Sequence, residues 1–129
     1  MRIWELVIVV NLEKAIAYVQ EKGDIIEQAR LACILWRKPP QKAVLQKLAK
    51  MQNPDGGFSY WIKGFSTVCD TVYILKWFDD LSLQREPSVK RAIDFLLMHQ
   101  KEDGGWDEVE RVKETNSPPF LLPGEINTR

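Results

Sequence analysis

The feature that most constrains this chain is a short glycine-rich segment that occurs twice. Met51–Phe58 reads MQNPDGGF, and His99–Trp106 reads HQKEDGGW, 48 residues further along. Each copy has a glutamine, then Asp-Gly-Gly, and then an aromatic residue six positions after the glutamine. A recurrence with this period is typical of repeat architectures, in which each unit is one supersecondary element stacked on the next. The chain is therefore predicted to consist of repeated helical units.

The residue types in each copy predict a tight turn that closes a helix. Paired glycines permit positive φ angles and let a neighbouring segment approach closely, and an aspartate can bond to a backbone amide further along the turn. A glutamine at a helix end can satisfy backbone groups that the helix leaves unpaired. We assign this structural role to Gln52, Asp55, Gly56, Gly57 and Phe58, and to Gln100, Asp103, Gly104, Gly105 and Trp106.

Hydrophobic periodicity predicts five helices. Asn11 and Asp24 occupy the N-cap positions of the first two helices. Ser66 or Thr67 caps the fourth helix, and Pro87 opens the fifth. The second and fourth helices are apolar on more than one face, which indicates inner helices buried on several sides. We expect one domain over residues 1–129, with repeat helices over about 12–37, 40–81 and 87–106 and an irregular tail over 107–129.

Composition limits the class of protein and its partners. A chain of 129 residues can form one hydrophobic core without disulfides or metal. Its 18 basic and 18 acidic residues give a formal net charge of zero, which argues against a nucleic-acid partner. Cys33 and Cys69 lack CxxC spacing, and no secretory leader is evident. We expect reduced, buried thiols in a cytoplasmic protein.

Two segments resemble a known repeat. Lys90–Trp106, KRAIDFLLMHQKEDGGW, closely resembles the QW repeat of the squalene cyclase and prenyltransferase superfamily. Lys42–Phe58, KAVLQKLAKMQNPDGGF, resembles the same repeat with Phe in place of Trp, and the likeness covers roughly residues 12–124. The resemblance implies an all-α fold of alpha-alpha hairpins, with inner and outer helices arranged as part of a toroid. This chain would be a short or truncated member.

The order of the predicted helices leaves one face uncovered. Prolines between Ser117 and Gly124 forbid a regular helix, so the chain stops where a sixth, inner helix would begin. An outer helix without that neighbour exposes its apolar stripe to water. We expect a second copy of the chain or a partner protein to cover the stripe. A rearranged tail and a sequence cut short are the alternatives.

Class II terpene cyclases of the resembled superfamily carry Asp-x-Asp-Asp-Thr at the start of an inner helix, and its central carboxylic acid protonates an alkene or epoxide. The aligned segment here is Thr67–Thr71, TVCDT. Asp70 and Thr71 match, whereas Cys69 stands at the position of the proton donor. A thiol with a pKa of about 8.5 cannot replace an acid that protonates a very weak base. We therefore expect no catalytic residue and no such activity from this chain alone.

Metal sites of the superfamily are also incomplete. Prenyltransferase beta subunits bind zinc through Asp, Cys and His, but Cys69 and Asp70 are adjacent and point about 100° apart on a helix. His99, the single histidine, is interpreted as a packing residue. Asp79–Asp80 resembles half of an aspartate-rich magnesium motif, and we expect a solvated helix end there. The sequence predicts no bound metal and no cofactor.

Aromatic residues crowd the region around the fourth helix. In the resembled cyclases such side chains line the toroid cavity and stabilise carbocations by cation–π attraction, although the same pattern also suits a packed core. The candidate ligand-binding residues, for an isoprenoid ligand, are Trp61, Cys69, Asp70, Tyr73 and Trp77.

Two functions remain open. Because the scaffold residues are present and the acid and metal motifs are absent, we expect a non-catalytic binding or assembly module linked to isoprenoid metabolism. The alternative is an isoprenoid cyclase or prenyltransferase subunit whose active site is completed by another chain. Any membrane contact would be peripheral, through Trp4 and Leu6–Val10, because that run is far shorter than the roughly 20 residues of a spanning helix.

Overall fold

A computed structural model describes residues 11–116 of the chain, which contain five α-helices and no β-strand. The all-α prediction is confirmed. The apolar run with Trp4 and the proline-rich segment of the tail lie outside the described residues. The helices are α1 (Leu12–Lys22), α2 (Ile25–Trp36), α3 (Lys42–Met51), α4 (Val68–Asp80) and α5 (Pro87–Met98), and a 3-10 helix spans Glu110–Glu114.

The first two helices begin at the predicted caps. The Asn11 side chain accepts a hydrogen bond from the Lys14 amide at 3.0 Å, and Asp24 accepts one from the Glu27 amide at 2.8 Å. Each cap satisfies a donor that a helix N-terminus leaves unpaired. Gln28 Nε2 donates to two carbonyls at the end of α1. The short turn between α1 and α2 is therefore held by two side chains at the start of α2, those of Asp24 and Gln28.

Local sequence also sets the start of the later helices. Thr67, rather than Ser66, caps α4 by accepting a hydrogen bond from the Asp70 amide at 3.0 Å. Pro87 is the first residue of α5. Its missing N–H costs no hydrogen bond there, because the first amides of a helix have no acceptor within the helix. The two prolines after α2 are followed by Gln41, and α3 begins at Lys42.

The helices alternate between two layers. The inner helix α2 packs against α1, α3 and α4, and α4 packs also against α5. The core lies between these helices, around Phe58, which is fully buried. Its buried members are Ile26, Cys33, Val44, Leu48, Phe58, Ile74, Trp77, Phe78, Leu81, Val89 and Ala92.

The expectation that α2 is buried on several sides is wrong for the described part of the chain. Ile26 and Cys33 are its buried residues, whereas Ile34, Leu35 and Trp36 are exposed. The helix has apolar residues around most of its circumference, but the described neighbours cover only part of it. An apolar sequence shows which faces of a helix can be buried. The neighbouring elements that pack on the helix decide which of those faces are buried.

Candidate functional site

The first glycine-rich turn, loop 1 (Gln52–Phe58), is held by its own side chains. Gly56 has a φ of +92°, which glycine adopts without steric cost. Asp55 Oδ1 accepts a hydrogen bond from the Gly57 amide at 3.0 Å. Gln52 Nε2 donates to the Gly56 carbonyl at 2.9 Å and closes the turn.

The second turn, loop 2 (Gln100–Trp106), has the same internal geometry. Gly104 has a φ of +90°, Asp103 Oδ1 accepts from the Gly105 amide at 2.9 Å, and Gln100 Nε2 donates to the Gly104 carbonyl at 2.7 Å. The Trp106 indole N–H donates to a carbonyl in the last turn of α5. Two sequences that share Gln, Asp-Gly-Gly and an aromatic residue therefore form the same turn.

Asp70, in the first turn of α4, binds the chain that leads into that helix. Its side chain is buried, with 2 % of the residue exposed. Oδ2 accepts hydrogen bonds from the amides of Tyr60 at 2.9 Å and Ile62 at 3.1 Å. Asp70 thus connects α4 to the loop that carries the aromatic residues.

Sequence reasoning missed Glu108, a buried residue whose carboxylate binds the first amides of α4. Its two oxygens accept hydrogen bonds from the amides of Val68 at 2.7 Å and Cys69 at 2.9 Å, and 5 % of the residue is exposed. Negative charge is favourable at a helix N-terminus because the first amides are unpaired and the helix dipole is positive there. No local spacing signals this contact, since Glu108 lies 40 residues beyond Val68 in the sequence.

Cys69 precedes Asp70 in the chain, and its amide donates a hydrogen bond to Glu108. Burial raises the pKa of its thiol above the usual value, and the negative charges of Asp70 and Glu108 raise it further. The prediction that both cysteines are reduced and buried is only partly right. Both are free thiols, but Cys69 is half-buried, whereas Cys33 is buried.

The structure brings the predicted aromatic residues into contact. The Trp61 and Tyr73 ring centroids are 4.4 Å apart, and those of Tyr73 and Trp77 are 5.4 Å apart. Tyr60, which was not among the predicted ligand-binding residues, packs edge-on against Trp77 at 5.0 Å. Such offset and edge-on arrangements are the favourable ones for aromatic rings.

These rings border an open cavity of about 390 Å³ between α2 and α4. Tyr73 and Trp77 belong to its lining, and Trp61 packs on Tyr73 beside it. Cys69 and Asp70 are not part of the lining, since they lie in the first turn of α4. The lining residues are Val19, Glu27, Arg30, Leu31, Ile34, Tyr60, Tyr73 and Trp77.

Comparison with known families agrees with this architecture. A family model described as the squalene-hopene cyclase C-terminal domain matches residues 25–118, a stretch that contains α2 to α5 and both loops. The chain belongs to this family. No curated protein and no solved structure matches the chain. The all-helical structure of the described residues is consistent with this membership.

In this cyclase-family domain the expectation of a solvated helix end at Asp79–Asp80 is right for Asp79 and wrong for Asp80. Asp79 is solvent-exposed, but Asp80 pairs with Arg30 at 2.9 Å and with Lys76. Burial acts to raise the pKa of Asp80, and the hydrogen bonds and charges of Lys76 and Arg30 outweigh it, so that the pKa is lowered. The Arg30 guanidinium also lies 5.4 Å from the centre of the Trp77 ring. Asp80 is therefore a paired charge that orients a cavity residue.

The described residues of the cyclase-family domain contain neither a metal-binding group nor a membrane-spanning helix. Between residues 11 and 116, no three His, Cys, Asp or Glu side chains are grouped so that they could hold a metal ion. His99 Nδ1 lies 2.8 Å from the Phe95 carbonyl, and its ring packs on that of Phe95. In the same part of the chain, every helix is too short or too polar to cross a membrane.

Proposed function

We propose that this domain of the squalene-hopene cyclase family is a non-catalytic binding or assembly module. The observation that carries the proposal is the use of Asp70, the carboxylate in the segment that resembles the acid motif. Both amide contacts of Asp70 hold backbone in place. The neighbouring Cys69, at the position of the proton donor, has a raised pKa and stays a neutral thiol. A neutral thiol is far too weak an acid to protonate an alkene.

The proposal is tested by product analysis. The purified chain is incubated with squalene and with squalene epoxide, and the extract is compared by gas chromatography and mass spectrometry with a protein-free control. We expect no cyclised product from the wild-type chain. A cyclised product that the protein-free control lacks would overturn the proposal.

The aromatic cavity supports a second candidate, an isoprenoid-processing subunit whose active site is completed by another chain. Three aromatic side chains and three aliphatic ones face a space within the range of small-molecule sites, about 300–1,000 Å³. In this reading the chain binds an isoprenoid, and the missing carboxylates come from elsewhere.

Binding of farnesol, followed by tryptophan fluorescence, tests the second candidate. The variant Tyr73→Ala removes a ring from the cavity lining, and Tyr18→Ala is its control, because Tyr18 is exposed on α1 and not among the lining residues. Saturable binding that Tyr73→Ala weakens at least tenfold and Tyr18→Ala leaves unchanged would support this candidate. Absence of saturable binding would assign the rings to packing.

We further propose a cytoplasmic location. Free cysteines persist in reducing compartments, and both Cys33 and Cys69 are free thiols. Cell fractionation tests this, and recovery of the chain with secreted proteins would contradict it.

A further inference from the structure

The cavity between α2 and α4 has apolar walls and two charged residues. Three aromatic and three aliphatic side chains line it, together with Glu27 and Arg30. The two charged residues lie three positions apart on α2, a spacing that places them on the same face of the helix. A molecule in this cavity would thus meet apolar side chains on most sides, and one acid and one base on the side of α2.

Arg30 is held in one orientation by contacts with two residues of α4. Its Nε and Nη2 both donate to Asp80 Oδ2, at 3.0 and 2.9 Å, and the guanidinium lies 5.4 Å from the centre of the Trp77 ring. A guanidinium has five N–H groups in a fixed planar fork. Asp80 uses the edge that Nε and Nη2 form, and within residues 11–116 the two hydrogens of Nη1 take part in neither of these bonds. A donor edge that is already oriented loses little freedom when it binds an acceptor.

The charged side chains at this end of the cavity balance one another. Arg30 and Lys76 are positive, and both pair with the negative Asp80. Glu27, in the lining, is the second negative group. An anionic head group would meet the Glu27 carboxylate, and a cationic one would meet Arg30, so like charges would oppose either ion. The lining therefore favours a ligand with an uncharged polar group.

A hydroxyl group matches the two charged residues of the lining. It has one O–H donor and two acceptor lone pairs. It can accept from Arg30, which is only a donor, and donate to the Glu27 carboxylate, which is only an acceptor. Hydrogen bonds with a charged partner are roughly twice as strong as those between neutral groups. These two bonds therefore outweigh any that the phenol hydroxyls of Tyr60 and Tyr73 could offer.

We propose that the cavity binds an apolar alcohol, with its hydroxyl group between Arg30 and Glu27 and its hydrocarbon part against the aromatic wall of Tyr60, Tyr73 and Trp77. This inference names the class of ligand for the second candidate function and rests on it. Arg30 and Glu27 select the head group, and the aromatic wall selects the apolar body. For an isoprenoid, the preferred form is the free alcohol, and neither the hydrocarbon nor the diphosphate.

Four ligands that share the farnesyl chain test the choice of head group. Tryptophan fluorescence gives the dissociation constants of the wild-type chain for farnesol, farnesyl methyl ether, farnesene and farnesyl diphosphate. The ether oxygen can accept from Arg30 but cannot donate to Glu27, farnesene has no oxygen, and the diphosphate is an anion. We expect farnesol to bind about tenfold or more tightly than each of the others, the effect of one hydrogen bond to a charged group.

Two variants test the assigned residues. Glu27→Ala and Arg30→Met should each weaken farnesol binding about tenfold and leave farnesene binding unchanged, so that the preference for the alcohol is lost. A variant that only distorted the cavity would weaken both ligands. Glu27 is exposed, so Glu27→Ala keeps the test available even if loss of the Asp80 pair unfolds Arg30→Met. Glu21→Ala is the matched control, because Glu21 is exposed on α1 and is not among the lining residues.

The results separate this inference from the function on which it rests. Equal affinity for farnesol and farnesene, or tighter binding of the diphosphate, would overturn the inference and leave the cavity as an isoprenoid site. A preference for farnesol that survives both Glu27→Ala and Arg30→Met would also overturn it. Absence of saturable binding for all four ligands would overturn the second candidate function together with the inference. Formation of cyclised product is measured separately and bears only on the absence of catalysis.

Discussion

Replacing Glu108 with glutamine tests how α4 is anchored. One Glu108 oxygen accepts from the Val68 and Val109 amides and the other from the Cys69 amide. Glutamine keeps the shape and one acceptor oxygen, but its NH₂ group would face the Cys69 N–H, so one charge-assisted bond is lost. Such a bond contributes about 1.5–3 kcal/mol. We therefore expect the free energy of unfolding to fall by about 2 kcal/mol.

Urea denaturation followed by circular dichroism measures this loss. With a slope of roughly 1–3 kcal/mol per molar urea, the midpoint should fall by about 1 M. Glu110→Gln is the matched control, because Glu110 forms an exposed ion pair with Lys113, and such pairs contribute at most about 1 kcal/mol. Equal shifts for the two variants, or no shift for Glu108→Gln, would refute the role of Glu108 in anchoring the first turn of α4.

Two further predictions concern the loops and the charge pair beside the cavity. Gly56→Ala should destabilise the chain by roughly 2 kcal/mol more than Gly104→Ala, the cost of forcing a side chain against backbone. Both variants acquire φ strain of about 1–2 kcal/mol, but within residues 11–116 only Gly56 faces the backbone of a helix. Equal effects would contradict the packing of loop 1 against α5. Folding lowers the pKa of Asp80, so the ion pairs of this carboxylate stabilise the fold above the unfolded pKa of 3.8. This stabilisation is lost as the pH falls through the pKa of the folded state. The difference in the free energy of unfolding between wild type and Asp80→Asn should accordingly shrink on acidification below pH 3.8. Asp94→Asn, the control at an exposed ion pair, should change the stability little at any pH. A difference for Asp80→Asn that does not vary with pH would disprove the ion-pair reasoning.

Local signals in the sequence were sufficient for the helices and their caps. Asn11, Asp24 and Thr67 each accept a hydrogen bond from an amide three residues later. Proline at the start of α5 and glycine in the two loops act through their own backbone restrictions. These effects depend on residues a few positions apart, which explains why pattern reading found them.

Contacts between distant residues could not be predicted. Glu108 reaches α4 from 40 residues away, and Arg30 pairs with Asp80 across 50 residues. The exposure of Trp36 also escaped prediction, because an apolar side chain is buried only if another element packs on it. Sequence periodicity identifies elements and faces, whereas tertiary geometry selects the partners of each charged group.

The central claim is that Asp70, the carboxylate in the segment that resembles the acid motif, has a structural role. The most direct test is the free energy of unfolding of Asp70→Ala, with Asp79→Ala as an exposed control. Removal of Asp70 leaves the Tyr60 and Ile62 amides without their acceptor, at about 1–3 kcal/mol each. We predict a loss of about 2–4 kcal/mol for Asp70→Ala and a small change for the control. Unchanged stability in Asp70→Ala would contradict the claim, because the carboxylate would then not be needed to hold the chain.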